Sequence, residues 1–261
     1  MGADPYAWEA DLYDATTGPV SARDVPFYTA LAADAGGPVL ELGCGTGRVL
    51  LPCVEVAGRG VGVDTSAAML ARARQRAARA GLTDQVELYQ ADMRTIRLGR
   101  TFPLVTVPFR SLFLLRGDDE WLAALATVRA HLTPGGRFAA DVFVPDPETI
   151  AARQDHHGFA GELVHPETGQ RVALWEHLTY DPVEQLVTRR RVSEVLDADG
   201  LVLERRHRLL EVRYRHPGEV LRLLGTAGFE VDECLGGFDG RPFGADAEDL
   251  VWVATAARRR A

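Results

Sequence analysis

The segment VLELGCGTGR, residues 39–48, joins a run of apolar residues to glycines at 43, 45 and 47, and a second short apolar run, VGVD, closes on Asp64. Few backbones accommodate this pattern. A strand that ends in alternating glycines must turn tightly, because residues without a Cβ accept positive φ and let the main chain approach a ligand closely. An acid about 20 residues further on, at the end of the next strand, is placed to accept hydrogen bonds from ribose hydroxyls. The pair of strands therefore predicts a β-α-β unit whose C-terminal edge receives a nucleoside.

The spacing separates two kinds of nucleoside site. In G-x-G-x-x-G the loop leads to a helix N-terminus that cradles a pyrophosphate. Here the spacing is one residue shorter, and Glu41 stands just before Gly43. A carboxylate there would repel a pyrophosphate and suit a cationic ammonium group. The combination E-x-G-x-G-x-G followed by Asp64 resembles motif I and the next acidic position of class I S-adenosylmethionine-dependent methyltransferases. What the resemblance implies is S-adenosyl-L-methionine as cofactor, with Glu41, Gly43, Gly45, Gly47 and Asp64 among its contacts.

Patterning along the chain extends the unit. Strands are expected at 38–42, 60–64, 86–90, 102–109 and 137–144, with helices at 46–57, 65–81 and 118–131. Pro52 is expected to kink the first of these helices. Thr65 and Ser66 are candidate caps for the second, which stops at Gly81. The alternation predicts right-handed crossovers and a parallel sheet covered on both faces. From about 160 to 215 the rhythm changes to consecutive strands, RVALWEHLTYD, EQLVTRRRVSEVLD and LVLERRHRLLEVRYR, with Asp199-Gly200 as a hairpin turn. A helix at 216–227 and strands at 228–235 and 249–254 follow.

The expected fold is α/β: a Rossmann-like, seven-stranded, mostly parallel sheet with an antiparallel last strand, plus an antiparallel β-lid insert too thin to hold its own core. The organisation is a single methyltransferase domain over 1–261. It comprises an N-terminal helical cap (1–35), a cofactor-binding core (36–145), a lid (about 155–215) and a final helix and strand pair (216–261). The lid places the chain near bacterial small-molecule methyltransferases that insert such a sheet before the last helix.

Further residues match the family's positions. Asp92, in QADMRT, resembles the acid that hydrogen-bonds the adenine amino group, with Met93 against the ring and Met69 on its other face. Pro108 opens PFRSLF at the C-terminal edge of the fourth strand, where open sheets bind ligands, and Thr133-Pro-Gly-Gly136 resembles the turn before the fifth strand. Tyr13, beside Asp14, resembles a Tyr-Asp pair that related enzymes close over the cofactor. Methyl transfer needs nucleophile, methyl carbon and sulfur held in line, and a base only where the nucleophile carries a proton. Candidate catalytic residues are Tyr13, Arg110 at the pocket mouth, and His177, chosen by its titration range. On the lid strand 171–181, Trp175, His177 and Thr179 share one face and Glu176, Leu178 and Tyr180 the other.

Composition trims the alternatives. The chain has 261 residues, 46% of them hydrophobic, and a net charge of −8, which argues against a protein built around nucleic-acid phosphates. V107-P-F-R110 stands where amino-group methylases of nucleic acids carry N-P-P-Y. All 29 cationic side chains are arginine, so the Tyr/Lys relay of a nicotinamide oxidoreductase is excluded. Three cysteines without paired spacing indicate neither a disulfide framework nor a zinc site, and no metal is expected. With no signal peptide or long apolar run, a soluble cytoplasmic protein is expected, with no nucleic-acid or membrane partner. The eight arginines between 189 and 215 read as a solvated strand face; against five acids in 188–215 they leave a net +3, which is also compatible with an acidic substrate. The expected activity is transfer of a methyl group to an O, N or activated C nucleophile of a small molecule in secondary metabolism. A non-catalytic S-adenosylmethionine-binding regulator or assembly protein is the alternative, and a homodimer is compatible with the sequence.

Overall fold

The structure, a computed structural model, describes Asp4, Tyr6, residues 10–21 and residues 23–257; of the expected cap segment, 1–3, 5, 7–9 and 22 lie outside the described residues. The chain runs through α1 (Tyr13–Ser21), α2 (Val25–Ala35), β1 (Val39–Leu42), α3 (Leu50–Ala57), β2 (Gly60–Asp64), α4 (Ala67–Arg79), β3 (Val86–Gln90) and β4 (Phe102–Val107). After a one-turn 3-10 helix (Ser111–Leu114) come α5 (Asp118–Ala130), β5 (Leu132–Phe143), α6 (Pro147–Arg153), β6 (His156–Val164), β7 (Arg171–Asp181), β8 (Leu186–Leu196) and β9 (Val202–Arg213). Helix α7 (Pro217–Thr226) and strands β10 (Phe229–Leu235) and β11 (Asp249–Ala256) close the chain.

Seven strands form one sheet in the order β10-β11-β5-β4-β1-β2-β3, with β11 antiparallel to both neighbours and the other pairings parallel. Strand β1 is buried along its whole length, as a central parallel strand covered on both faces must be. One face packs against α2, α3 and α4 through Tyr28, Leu50 and Leu70, and the other against α5 and α7 through Trp121 and Leu224. In α4 the buried side chains Leu70, Ala73 and Ala77 recur at helical spacing with arginines between them, and Ser66 caps it by accepting the Met69 N–H at 3.2 Å. This sheet fixes β1, β2 and β4 with their C-terminal ends at one edge.

Four departures from the sequence expectations have local causes. Helix α3 starts at Leu50, so Pro52 lies in its first turn, where the missing N–H costs nothing and no kink is needed. Strand β4 ends at Val107 because Phe109 and Arg110 both take left-handed φ, 56° and 62°. Strand β5 begins at Leu132, paired with Phe102, and Thr133-Pro-Gly-Gly136 bulges out before Arg137 pairs with Leu104. The lid has four strands in the order β6-β7-β8-β9, with β6 and the short α6 unexpected; β6 contains Gly158 and Gly161, both paired with β7, and its pairing shifts between Phe159 and Gly161. The lid leans on the core where Tyr180, Val187 and Tyr214 join the apolar cluster around Phe113 and Trp121.

Candidate functional site

A cavity of about 250 Å³ opens at the C-terminal edge of β1 and β2. Gly43 and Gly45 form its floor, both with positive φ (75° and 52°), and a Cβ on Gly43 would stand only 3.1 Å from Ser111 Cβ and 3.2 Å from Met93 Cε. Asp64 reaches across the loop: one oxygen accepts the Gly45 N–H at 2.8 Å and the other the Ser66 N–H at 2.8 Å. Burial raises its pKa, against which the backbone donors at Ser66 and Gly45 pull down. Each oxygen keeps a further lone pair for a ligand hydroxyl. Met69 and Met93 line the same space. Asp92 also lines it, with its carboxylate held by the Arg94 guanidinium at 2.5 Å and by the Arg94 N–H at 2.8 Å.

A narrow extension of about 40 Å³ runs between the glycine loop and Pro108 and is lined by Glu41 and Arg48. Glu41 is buried in β1, and burial pushes its pKa well up while the nearby Arg48 charge opposes the shift. Arg48 is itself committed to Asp24 through two bonds of 2.6 Å. A buried carboxylate facing a small cavity suits a compact cationic group.

A larger cavity of about 410 Å³ lies between the core and the lid. Its floor is the Phe109–Arg110 turn, held where Asp141 Oδ1 accepts the Phe109 N–H at 2.8 Å and the Tyr28 hydroxyl at 2.7 Å. Its roof is one lid face, with Glu176 and Leu178 from β7, Arg189 and Arg191 from β8, and Arg208 and Leu210 from β9. Tyr6, Tyr13, Ser111 and Leu114 line both this cavity and the first one. Two chambers thus share one wall, the geometry required to bring two reactants together out of water.

Residues 39–136 match a family profile described as a methyltransferase domain. The chain is 31% identical over 203 residues to dTDP-3-amino-3,4,6-trideoxy-alpha-D-glucopyranose N,N-dimethyltransferase of Streptomyces venezuelae, covering 78% of this chain and 79% of that protein. The chain belongs to the class I S-adenosylmethionine-dependent methyltransferases. This methyltransferase is also 28% identical over 218 residues to the cypemycin N-terminal methyltransferase of a Streptomyces species, covering 84% of this chain and 82% of the relative. Among solved structures it resembles the CcbJ methyltransferase of Streptomyces caelestis, with a TM-score of 0.78, 28% identity, and coverage of 97% and 98% of the two chains.

The residues of the first cavity fit the methyltransferase's cofactor, S-adenosyl-L-methionine. A loop into which a Cβ at Gly43 would intrude, an acid with spare lone pairs at Asp64 and a buried carboxylate at Glu41 are what a cationic nucleoside needs. Gly47 serves differently: it lines none of these cavities, and a Cβ there would meet Leu51 Cγ at 3.1 Å, so it admits α3 beside the loop. Asp14 accepts the Thr46 hydroxyl at 2.8 Å and pairs with Arg76 at 2.5 Å, which anchors Tyr13 over both chambers. Arg110 lines the larger cavity, bound to Asp249 at 3.0 Å and lying 5.4 Å from the Phe143 ring centroid.

His177 is placed elsewhere. Its Nε2 lies 2.7 Å from Asp155 Oδ1 and its ring meets His157, on the lid face turned away from the larger cavity. The alternation along β7 sends Glu176, Leu178 and Tyr180 inward instead. In the sequence, titration range singles out His177, but it carries no information about which face is covered. Of the other residues in the shared wall, Tyr6 falls in the pocket-covering segment 6–14 and Ser111 in the PFRSLF stretch that the sequence points to, neither singled out there, while Leu114 lies outside both. The expectation of a solvated arginine face also fails in part: Arg191 and Arg215 are buried, and Arg215 stacks over Trp121 and pairs with Asp118 at 3.0 Å.

Proposed function

We propose that this methyltransferase acts on an amine nitrogen of a small natural-product intermediate. The observation that carries the reading is the protonation chemistry of the larger cavity. Among the described lining residues the titratable groups are arginines, tyrosines and Glu176. Burial raises the pKa of Tyr6 and Tyr13, which removes them as ready bases. Burial also raises the Glu176 pKa, but the Arg189 and Arg191 charges outweigh it and hold the carboxyl below its usual range. A hydroxyl acceptor would need a base near its reacting proton, whereas an amine, whose ammonium form gives up its proton to solvent near neutral pH before binding, attacks with a free lone pair and needs no base in the transfer step. The named substrates of the similar Streptomyces proteins, an amino sugar nucleotide and a peptide N-terminus, are amines too.

In this reading Asp64 holds the ribose hydroxyls, Glu41 the ammonium group, Met69 and Met93 the adenine faces, and Gly43, Gly45 and Pro108 the path between. Asp92 reaches the adenine amino group by sharing its carboxylate with Arg94. The bound cofactor supplies a methyl group that is already electrophilic. Tyr6 and Tyr13 line the passage between the chambers, orient the amine and keep water from it; Arg110 fixes the floor through Asp249. Incubation with deuterated-methyl cofactor and paired acceptors, an amino sugar nucleotide and its hydroxyl counterpart, tests the proposal. A mass increase confined to the amine is expected, and transfer confined to the hydroxyl compound would overturn it.

A further inference from the structure

The three cavities meet at one point on the core. Among the described residues, Tyr13 and Ser111 alone line all of them: the nucleoside cavity, the narrow extension beside Glu41 and the larger cavity under the lid. A sulfonium centre carries three carbon substituents, and the three spaces match them, one for the nucleoside, one for the amino-acid tail and one toward which a methyl group leaves. A side chain that faces this junction from the core touches the reacting atoms.

The backbone is bent to deliver Ser111 there. Phe109 and Arg110 both take left-handed φ, 56° and 62°, so the chain doubles back after β4 and the Ser111 N–H reaches the Pro108 carbonyl at 3.3 Å. Two successive non-glycine residues in this region are costly, and such strain persists only where the surroundings hold it. Asp141 Oδ1 does so by accepting the Phe109 N–H at 2.8 Å. Gly43 completes the fit, since a Cβ there would stand 3.1 Å from both Cβ and Oγ of Ser111. The Ser111 hydroxyl donates to the Pro108 carbonyl at 2.7 Å, which commits its one hydrogen. Among the described residues no donor reaches Ser111 Oγ, and its lone pairs are left for a ligand.

Resting on the amine reading above, we propose that Ser111 is a catalytic residue whose Oγ accepts an N–H hydrogen of the acceptor amine and so points the nitrogen lone pair at the methyl carbon. As that lone pair forms the N–C bond, the C–S bond breaks with its electron pair going to sulfur, and positive charge develops on the nitrogen. The N–H hydrogens become stronger donors, so the bond to Ser111 tightens in the transition state, where added binding raises the rate. Ser111 takes no proton, because its own hydrogen is donated to the Pro108 carbonyl, and the product ammonium loses its proton to solvent. A hydroxyl acceptor that has lost its proton has no hydrogen to offer Ser111.

Calorimetric titration of the full chain with S-adenosylhomocysteine in one arm and sinefungin, which carries an amine where the transferred methyl group sits, in the other tests this without turnover. In Ser111→Ala the ratio of the two affinities should shift against sinefungin by about tenfold or more, the scale of a lost hydrogen bond from a charged donor. S-adenosylhomocysteine affinity should stay within about threefold of wild type, which also reports folding. Ser111→Cys, of similar size and a weak acceptor, should shift the ratio the same way and decides the matter should Ser111→Ala not fold. An unchanged ratio overturns the proposal, and with transfer still confined to the amine it overturns the Ser111 role alone. A shifted ratio with transfer confined to the hydroxyl compound would instead overturn the amine reading and leave Ser111 as the acceptor beside the methyl group.

Discussion

The glycine-loop edge of the core and the inner face of the lid each line a cavity, and they are encoded in opposite ways. At the core edge, Glu41, Gly43, Gly45 and Asp64 fall within two neighbouring strands and the loop between them, so spacing alone places them. On the lid, Glu176, Arg191 and Arg208 become neighbours through the register of three antiparallel strands. A contiguous motif survives sequence change elsewhere in the fold, whereas a register-built surface changes its chemistry with any face-inward position. One scaffold can thus keep its methyl donor while its acceptor chamber varies.

Asp64→Ala should have the largest effect, because it removes the ribose acceptor and the brace on Gly45 and Ser66. S-adenosylhomocysteine affinity should fall by about two orders of magnitude in a calorimetric titration, and an unchanged Kd would remove the core edge from the cofactor site. Next comes the turn joining the two regions. Burial pushes the Asp141 carboxyl from an ordinary 3.8 up to about 6. A folded pKa raised in an acid means that the folded state holds the proton more tightly. Stability owed to this group is therefore present at low pH and falls as pH rises from about 4 to about 6. Relative to Asp141→Asn, whose amide oxygen can still accept from Phe109 and Tyr28, the wild type should lose up to about 1.4 kcal/mol per pH unit in that window. Parallel denaturation curves across the window would contradict this.

Gly47→Ala should cost about 1–2 kcal/mol of stability from its left-handed backbone, with the crowding at Leu51 adding to it. Cofactor affinity should stay within about threefold of wild type, on the scale of tenfold per 1.4 kcal/mol; a thermal melt and a titration separate the two. The smallest effect belongs to His177→Gln, since the histidine's partner Asp155 is 78% exposed and such pairs contribute little. Turnover should change by less than about twofold, the equivalent of about 0.4 kcal/mol, and a large loss would return the lid's outer face to the catalytic account.

Much of the fold was legible because its signals are local. The boundaries of β2 and β3 match the expected 60–64 and 86–90, since apolar runs bounded by turn residues leave little freedom. What was not legible depended on pairing. The expected strand at 102–109 ran two residues long because Asp141, on β5, holds the Phe109–Arg110 turn in left-handed backbone. Strand β6 was hidden by glycines that make sense only beside β7. Likewise Arg189 and Arg205 look alike in sequence, but one faces a cavity and the other a carboxylate on the opposite side.

Donor and acceptor are proposed to occupy separate chambers joined at Tyr6, Tyr13, Ser111 and Leu114. The most direct measurement is the Kd of S-adenosylhomocysteine in a Leu178→Ala, Leu210→Ala double variant, which widens the acceptor chamber alone. The account predicts a Kd within about twofold of wild type while the acceptor KM rises about tenfold or more, the scale of lost apolar contact. A Kd that rises in step with the acceptor KM would contradict it.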